Sequence, residues 1–294
     1  IICTSDSVLS TLNKIIEKKA DFLNHKFGVK SYSLPKFPVI PLGVNCDEFD
    51  FSDEFIQKSR NELGVNEDDI VIGYVGRLSF HAKAHHIPMY TAIENCAKQL
   101  KGSSKIHLIQ TGWFANDFIE NAFKSDAKLI SPNVNCIFID GKDQSNKYKT
   151  LAAMDIFMSL SDNIQETFGL TPLEGMASGK PVIVSDWNGY KSTVRDNEDG
   201  FRIKSFSLPE GFGENLARKY MSGEINYDHY IGYSSQRVAI DIKDCIDKLS
   251  ILITDKNKRI QLGKVAKERA KNFFSWNNIL KKYEELYDEL NSIR

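Results

Sequence analysis

The sequence predicts an α/β fold, a doubly wound parallel sheet flanked by helices, and two observations lead to that prediction. Residues 69–75 form a continuous apolar run of the kind found in strands buried on both faces of a sheet. Beyond that run, strand-like and helix-like patterns alternate at short intervals as far as residue 185. Strands that alternate with helices in this way are typical of parallel sheets.

The composition is that of a globular protein and argues against two classes of function. The chain has 294 residues, of which 41% are hydrophobic and 26% charged, enough to bury a sizeable core. A net charge of −1 argues against a nucleic-acid binder. No run of eighteen apolar residues predicts a transmembrane helix. The five cysteines are scattered without metal-ligand spacing, which suits a reducing cytoplasm.

The amino-terminal region predicts a helix followed by a linker. Thr4 or Ser5 can cap a helix that Gly28 ends. Residues 30–53 hold three prolines and little helical pattern, as a linker between domains would. The first five residues have the character of a strand end and not of a signal peptide. We therefore expect that part of the protein precedes them.

The alternation of strands and helices accounts for the middle of the chain. We predict strands at residues 69–75, 105–111, 135–139, 155–160 and 181–185. We predict helices at residues 88–101, 116–124, 146–153 and 172–178. From about Ser207 the pattern is mainly helical, and the last helix, from Trp276, carries an apolar face suited to docking on a neighbouring domain.

The loops that follow the strands are the places to look for chemistry, because ligands of open parallel sheets bind at the carboxyl ends of the strands. Three loops stand out, at residues 73–86, 139–143 and 161–176. In the third, a helix is predicted to begin at residues 170–172, just after Gly169. The free amide groups and positive dipole end of such a helix suit a phosphate.

Two carboxylates of the third loop are candidates for binding a sugar or a ribose. Glu174, on the first turn of the helix, can accept two hydrogen bonds from a vicinal diol, and Glu166 can reach the hydroxyls of a bound sugar. A second interpretation stays open for Glu174, because residues 171–174 also fit a capping box in which it bonds only to the amide of Thr171. Glu166 alone would more often be a solvated loop carboxylate.

The first loop supplies two cations after a glycine-containing strand end. Arg77 can bind phosphate oxygens with two donors, and Lys83 acts as a point charge. The segment is neither a P-loop nor a GxGxxG fingerprint, so alone it is a weak signal. The histidines at 81, 85 and 86 are interpreted as solvated loop residues, and the acidic stretches 67–69 and 196–199 as solvated turns rather than metal sites.

Together, the three loops resemble glycosyltransferase family 4, whose members have two facing Rossmann-like domains, the GT-B fold. VGRL at residues 75–78, with Lys83, resembles the family's diphosphate-binding segment. ETFGLTPLEGM at residues 166–176 resembles its Glu-x7-Glu signature. The match is dense over residues 70–203 and weaker outside them. The family transfers a sugar from a nucleotide donor with retention of anomeric configuration.

The resemblance implies a role for each of the candidate residues. Arg77 and Lys83 would neutralise the diphosphate as its bond to the sugar breaks. Glu166 would contact the donor sugar, and Glu174 the ribose. Further contacts to the phosphates, the sugar and the base would come from Gly76, Asp140, Gly141, Phe168, Gly169, Leu170 and Thr171. No metal and no other cofactor is expected.

The resemblance also implies an organisation and a set of partners. Residues 1–38 would be a remnant of the acceptor domain and the linker, residues 39–275 the nucleotide-sugar-binding domain, and residues 276–294 a helix packing back toward the amino-terminal domain. The partners would be a nucleotide sugar and a glycan or lipid-linked acceptor, the latter bound by the missing amino-terminal domain. This chain alone would therefore transfer little or no hexosyl group. Surface polysaccharide assembly, in the cytoplasm or peripheral to the inner face of the membrane, would be its setting.

Two other functions stay open at this point. A GT-B nucleotide-sugar epimerase or sugar-phosphate synthase would keep the fold and change the reaction. A non-catalytic nucleotide-sugar-binding domain would keep the fold without the chemistry. Family members often have Pro-Ser where this chain has Leu160-Ser161, and a glutamate where it has Thr193. These departures leave the donor sugar open.

Overall fold

The computed structural model describes residues 1–100 and 102–293, and a six-stranded sheet lies at its centre. The strands lie in the order β3-β2-β1-β4-β5-β6, and all neighbours are parallel. They are β1 (Ile70–Val75), β2 (Ile106–Gly112), β3 (Asn135–Asp140), β4 (Ile156–Ser159), β5 (Val182–Ser185) and β6 (Gly200–Ile203). This confirms the predicted doubly wound sheet, and the strand order reverses between β1 and β4.

Helices cover both faces of the sheet and continue to the carboxyl terminus. They are α1 (Asp6–Phe27), α2 (Asp53–Glu62), α3 (His86–Gln99), α4 (Asp117–Ile130), α5 (Gln144–Ala153), α6 (Leu170–Ala177), α7 (Tyr190–Thr193), α8 (Glu214–Met221), α9 (Tyr227–Ser235), α10 (Ile242–Thr254), α11 (Lys256–Phe273) and α12 (Trp276–Ser292). α3, α4 and α10 pack on one face, and α5, α6 and α11 on the other. None of the described helices is both long enough and apolar enough to cross a bilayer.

The central strand β1 shows why these sequences form buried strands. All six of its residues are buried. Ile72 and Tyr74 belong to the core on the α3 side, while Val71 and Val75 belong to the core on the α6 side. Successive side chains of a strand point to opposite faces, so a continuous apolar run supplies both cores at once.

The amino-terminal helix has the predicted limits. The Ser5 hydroxyl accepts a hydrogen bond from the Val8 amide, and Gly28 ends the helix in the left-handed region at φ 66°. No residue of α1 is buried. In the linker that follows, Val39 forms an isolated β-bridge with Cys3. A single turn of 3-10 helix (Cys46–Phe49) then precedes α2.

The structure adds elements that the sequence did not predict. α2 precedes the sheet, β6 completes it, and a small antiparallel hairpin forms from β7 (Ser205–Ser207) and β8 (Val238–Ile240). The last region is therefore not wholly helical. These strands are three or four residues long, so their period-two pattern has no length over which to appear.

Three side chains interpreted as solvated are in fact buried. Asp69 accepts hydrogen bonds from the Lys105 amide and from His107, and Asp199 pairs with Arg195 and lies near Arg269. His86 is buried in α3 and bonds to Asp126, and burial lowers its pKa. Buried polar groups need partners, and these contacts between distant segments supply them. The solvated-turn and solvated-histidine interpretations were wrong for these residues.

Candidate functional site

The first and third candidate loops meet where the strand order reverses. Lys83, from the loop after β1, forms an ion pair with Glu166, from the loop after β4. The side chain of Glu166 is only 8% exposed, so it is not a solvated loop carboxylate. The attraction between the two charges offsets the free-energy cost of removing each from water. For an isolated buried carboxylate nothing would offset that cost. The structure thus brings these two predicted residues together.

Arg77 lies in the same loop as Lys83 and helps to shape it. Its Nη2 donates to the Ala82 carbonyl at 3.0 Å, while Tyr74 Oη donates to the Arg77 carbonyl at 2.9 Å. Burial raises the pKa of Tyr74, and the nearby Glu166 carboxylate adds to that shift. The remaining donors of the guanidinium are available for an anion, because a guanidinium has five and the loop uses one.

Three glycines at the ends of neighbouring strands let the backbones approach closely. A Cβ on Gly112 would lie 1.9 Å from the Gly76 oxygen, and one on Gly141 would lie 2.7 Å from the Gly112 Cα. The Gly141 amide also donates to the Gly112 carbonyl at 2.8 Å. Any side chain here would force the strand ends apart, so glycine is required for this edge of the sheet to close.

The start of α6 has the geometry of an anion site. Gly169 takes φ 100° as the residue before the helix, and a Cβ there would lie 2.4 Å from the Tyr190 ring. No side chain caps this helix. The first amides of α6, from Leu170 and Thr171, therefore have no capping partner, and the helix dipole favours negative charge beside them. Phe168 is buried in the core, so only its backbone can face a ligand.

Glu174 does not form the capping box that its spacing allowed. Instead its Oε1 accepts a hydrogen bond from Lys147 Nζ, on α5, at 2.9 Å. Its Oε2 is buried and has no hydrogen-bond partner in the described chain, and the same is true of Thr171 Oγ1. Leaving a buried polar atom unbonded is costly, so Glu174 Oε2 would gain from a hydroxyl donor of a ligand, and the Thr171 hydroxyl from an acceptor such as a phosphate.

The second candidate loop lines a cleft of about 280 Å³. Asp140 contributes to it with Lys142, opposite Trp113 and Gly112. Trp113 is 42% exposed as a whole residue, and it lines this cleft with its apolar side chain. A planar aromatic ligand can stack on an indole ring while polar side chains bond to its edge.

A second cavity, of about 260 Å³, lies between α1 and the loop that carries Glu166. Val8, Leu12 and Ile15 line one wall, and Ile164 lines the other. The beginning of α1 is held against this loop by Ser5 Oγ, which donates to the Thr167 carbonyl at 2.6 Å. Glu166 thus lies between the Lys83 loop and an apolar cavity.

Sequence reasoning missed several residues of this region. Lys147 and Trp113 contact it from positions that resemble any surface lysine or loop tryptophan. Asn163 is buried and its Nδ2 donates to the His81 carbonyl and to Ser235 Oγ of α9, which ties both loops to a later helix. That contact joins residues far apart in sequence, so no local pattern could reveal it.

The titratable side chains of this region do not form a metal-ligand cluster. Within residues 1–100 and 102–293, no three His, Cys, Asp or Glu side chains are grouped so as to hold a metal ion. Glu166 and Glu174 each pair with a lysine instead.

Comparison with known proteins identifies the family. The family model described as glycosyl transferases group 1 matches residues 55–238, more than half of the chain. The chain belongs to this family. The spore coat protein SA of Bacillus subtilis is 23% identical over 79% of this chain. The D-inositol 3-phosphate glycosyltransferase of Corynebacterium jeikeium is 25% identical over 86% of it.

Solved structures show the same fold. A glycosyltransferase from Rickettsia africae superposes with a TM-score of 0.63 at 22% identity, covering 98% of this chain and 62% of that one. HepE of Anabaena, in complex with UDP-glucose, gives 0.61 at 18% identity, covering 98% and 63%. The chain spans about half the length of the curated relatives it matches, 52% of the spore coat protein and 51% of the Corynebacterium enzyme. The chain thus shares the Rossmann-like parallel sheet of these GT-B structures.

Proposed function

We propose that this chain carries the donor site of a retaining glycosyltransferase of family 4 and binds a nucleotide-diphosphate sugar at the carboxyl edge of the sheet. The convergence of Arg77, Lys83 and Glu166 where the strand order reverses carries this proposal. Two cations suit a diphosphate, and a carboxylate suits sugar hydroxyls. The relative HepE was crystallised with UDP-glucose, a ligand of this class.

Each part of the ligand has a place in this proposal. The diphosphate lies between Arg77 and Lys83 and the first amides of α6, after Gly169. Glu166 contacts the sugar and Glu174 the ribose hydroxyls. The base enters the cleft beside Asp140, Gly141 and Trp113, where a ring can stack. No metal takes part, because the lysine, the arginine and the helix amides supply the positive charge.

In this scheme, the protein accelerates the reaction by electrostatic stabilisation of the leaving group. As the bond from the anomeric carbon to the diphosphate oxygen breaks, negative charge grows on the diphosphate, and Arg77 and Lys83 stabilise it. The acceptor oxygen then bonds to the anomeric carbon on the face that the diphosphate leaves, and its proton passes to the departing phosphate oxygen. Attack on that face retains the anomeric configuration without a covalent enzyme intermediate.

The acceptor belongs to another part of the protein in this proposal. Residues 39–275 form the donor domain, while residues 1–38 and the helix from 276 belong to the junction with an acceptor domain that binds a glycan or lipid-linked acceptor. The ion pair between Lys36 and Glu289 supports this, because it ties those two segments together. Polysaccharide assembly at the inner face of the cell membrane fits such an acceptor, and transfer by this chain alone is expected to be negligible.

Calorimetric titration with UDP, GDP, ADP and their sugar conjugates tests the donor site. One base family should bind with saturation, and Arg77→Ala and Glu174→Ala should each weaken it about tenfold or more, as expected for lost charged hydrogen bonds. Arg218→Ala and Glu62→Ala are matched controls, since both residues form exposed ion pairs elsewhere. No binding by the folded chain, or equal binding by all four variants, would contradict the proposal.

A further inference from the structure

Lys147 lies in a half-buried corner beside the proposed ribose position, in contact with several side chains. Its Nζ lies 2.9 Å from Glu174 Oε1, and it also lies over two aromatic rings, 5.6 Å from the centroid of Phe49 and 5.5 Å from that of Tyr148. Phe49 is buried, and Tyr148 Oη donates to Glu48 at 2.9 Å. A flexible lysine gains orientation from such contacts, because cation–π attraction and the ion pair act together.

The charge of Lys147 matters because Glu174 sits where ionisation is unfavourable. Burial raises the pKa of Glu174, Lys147 opposes that shift, and the Glu48 carboxylate adds to it. On α11, which packs against the far end of α6, Lys267 is paired with Asp50. Lys147 therefore opposes the effect of burial and favours the ionised form of the Glu174 carboxylate.

The pair leaves one carboxylate oxygen for a ligand. Lys147 bonds to Oε1, whereas Oε2 has no hydrogen-bond partner within the described residues. A vicinal diol donates more favourably to an ionised carboxylate, since a protonated carboxyl is neutral and offers one acceptor fewer. The terminal torsion of a glutamate is soft, so the carboxylate can turn toward such a diol without leaving Lys147.

We propose that Lys147 is a positioning residue for nucleoside recognition, which holds Glu174 ionised and oriented so that it accepts the hydroxyls of a ribose. The inference rests on the proposed donor site, in which Glu174 binds the ribose. It makes discrimination between ribose and 2′-deoxyribose a property of the Lys147–Glu174 pair rather than of Glu174 alone. If Lys147 instead covered Glu174 and competed with the ligand, replacing it would raise the affinity for the ribonucleotide.

The test compares binding of the nucleoside diphosphate and of its 2′-deoxy form by Lys147→Met, Lys147→Arg and Lys149→Met. Lys149 is the matched control, because it lies on the same helix and forms an exposed pair with Glu62. At pH 7, Lys147→Met should lose about tenfold in affinity for the ribonucleotide and little for the deoxynucleotide. Lys147→Arg should restore most of the loss, and Lys149→Met should match the wild type.

The pH dependence separates positioning from a general loss of structure. Nucleotide affinity falls as pH falls through the pKa of Glu174, because protonation removes the acceptor. Without Lys147 that pKa rises further, so the loss should begin at a higher pH in Lys147→Met than in Lys149→Met. Unchanged or tighter ribonucleotide binding by Lys147→Met would overturn the inference alone. No binding by the wild type, or full ribose preference in Glu174→Gln, would overturn the donor-site proposal as well.

Discussion

At the scale of single residues, Asp162 is the most perturbed carboxyl of the site. It follows β4 in the same loop as Glu166, is only 4% exposed, and accepts one hydrogen bond, from the His85 amide at 3.3 Å. Its Oδ1 has no hydrogen-bond partner in the described part of the chain. Burial raises the pKa of Asp162 to about 7, because the charged form loses its hydration without an ion-pair partner.

Asp162→Asn should therefore change how stability depends on pH. Since the folded pKa is raised, the native state holds a proton that the unfolded state releases between about pH 4 and pH 7, and wild-type stability falls as pH rises through that window. Asparagine has no such proton. From pH 5 to pH 8, the free energy of unfolding of the variant should increase relative to that of the wild type by on the order of 1–3 kcal/mol.

Urea unfolding of both proteins at the two pH values measures this difference. Asp21→Asn is a suitable control, because Asp21 is an exposed residue of α1. A constant difference between Asp162→Asn and the wild type across the range would show that Asp162 is ionised in the folded protein at pH 5.

At the scale of elements, the two loops of the site depend on a helix far along the chain. α9 lies against the first loop, where a Cβ on Gly232 would come within 3.2 Å of the His81 Cβ. It also bonds to the third loop, since Gln165 Nε2 donates to Tyr227 Oη at 2.9 Å and Asn163 reaches Ser235. The loops are thus held from outside the sheet, which keeps Lys83 and Glu166 together.

The amino-terminal segment is the contrasting element. Residues 28–38 lie outside helices and strands and are largely exposed, and α1 before them buries no residue. Exposed backbone with few packing contacts opens easily. Limited trypsin digestion of the native chain should therefore cut first after Lys30 or Lys36, leaving a stable product that mass spectrometry identifies. A first cut after Arg218 or Lys219, within α8, would show that this helix opens more readily instead.

How far the sequence predicts these elements depends on burial and length. β1 to β5 and the helices between them are recognisable because each strand is an apolar run between turn residues. α2, β6 and the β7–β8 hairpin were missed, since they are short or lie in a polar segment. Within the site, motif positions such as Arg77 and Glu174 could be found, whereas Lys147 and Asn163 could not, because their contacts are made only by the folded chain.

At the scale of the whole molecule, the strand order gathers residues that are distant in sequence. β1 and β4 are neighbours although α3, β2, α4, β3 and α5 separate them along the chain, so the loops that follow them meet at the carboxyl edge of the sheet. With a net charge of −1, the molecule as a whole does not attract an anion. In the proposed function, diphosphate binding therefore comes from the local cations and amides at that edge.

Differential hydrogen exchange tests this account most directly. The chain would be compared with and without a saturating concentration of the nucleoside diphosphate that binds most tightly in calorimetry. The account predicts slower exchange in the loops after β1, β3 and β4 and in the first turn of α6, with α8 and α12 unchanged. Protection confined to α8, α12 or another region outside the carboxyl edge of the sheet would contradict the claim that this edge is the donor site.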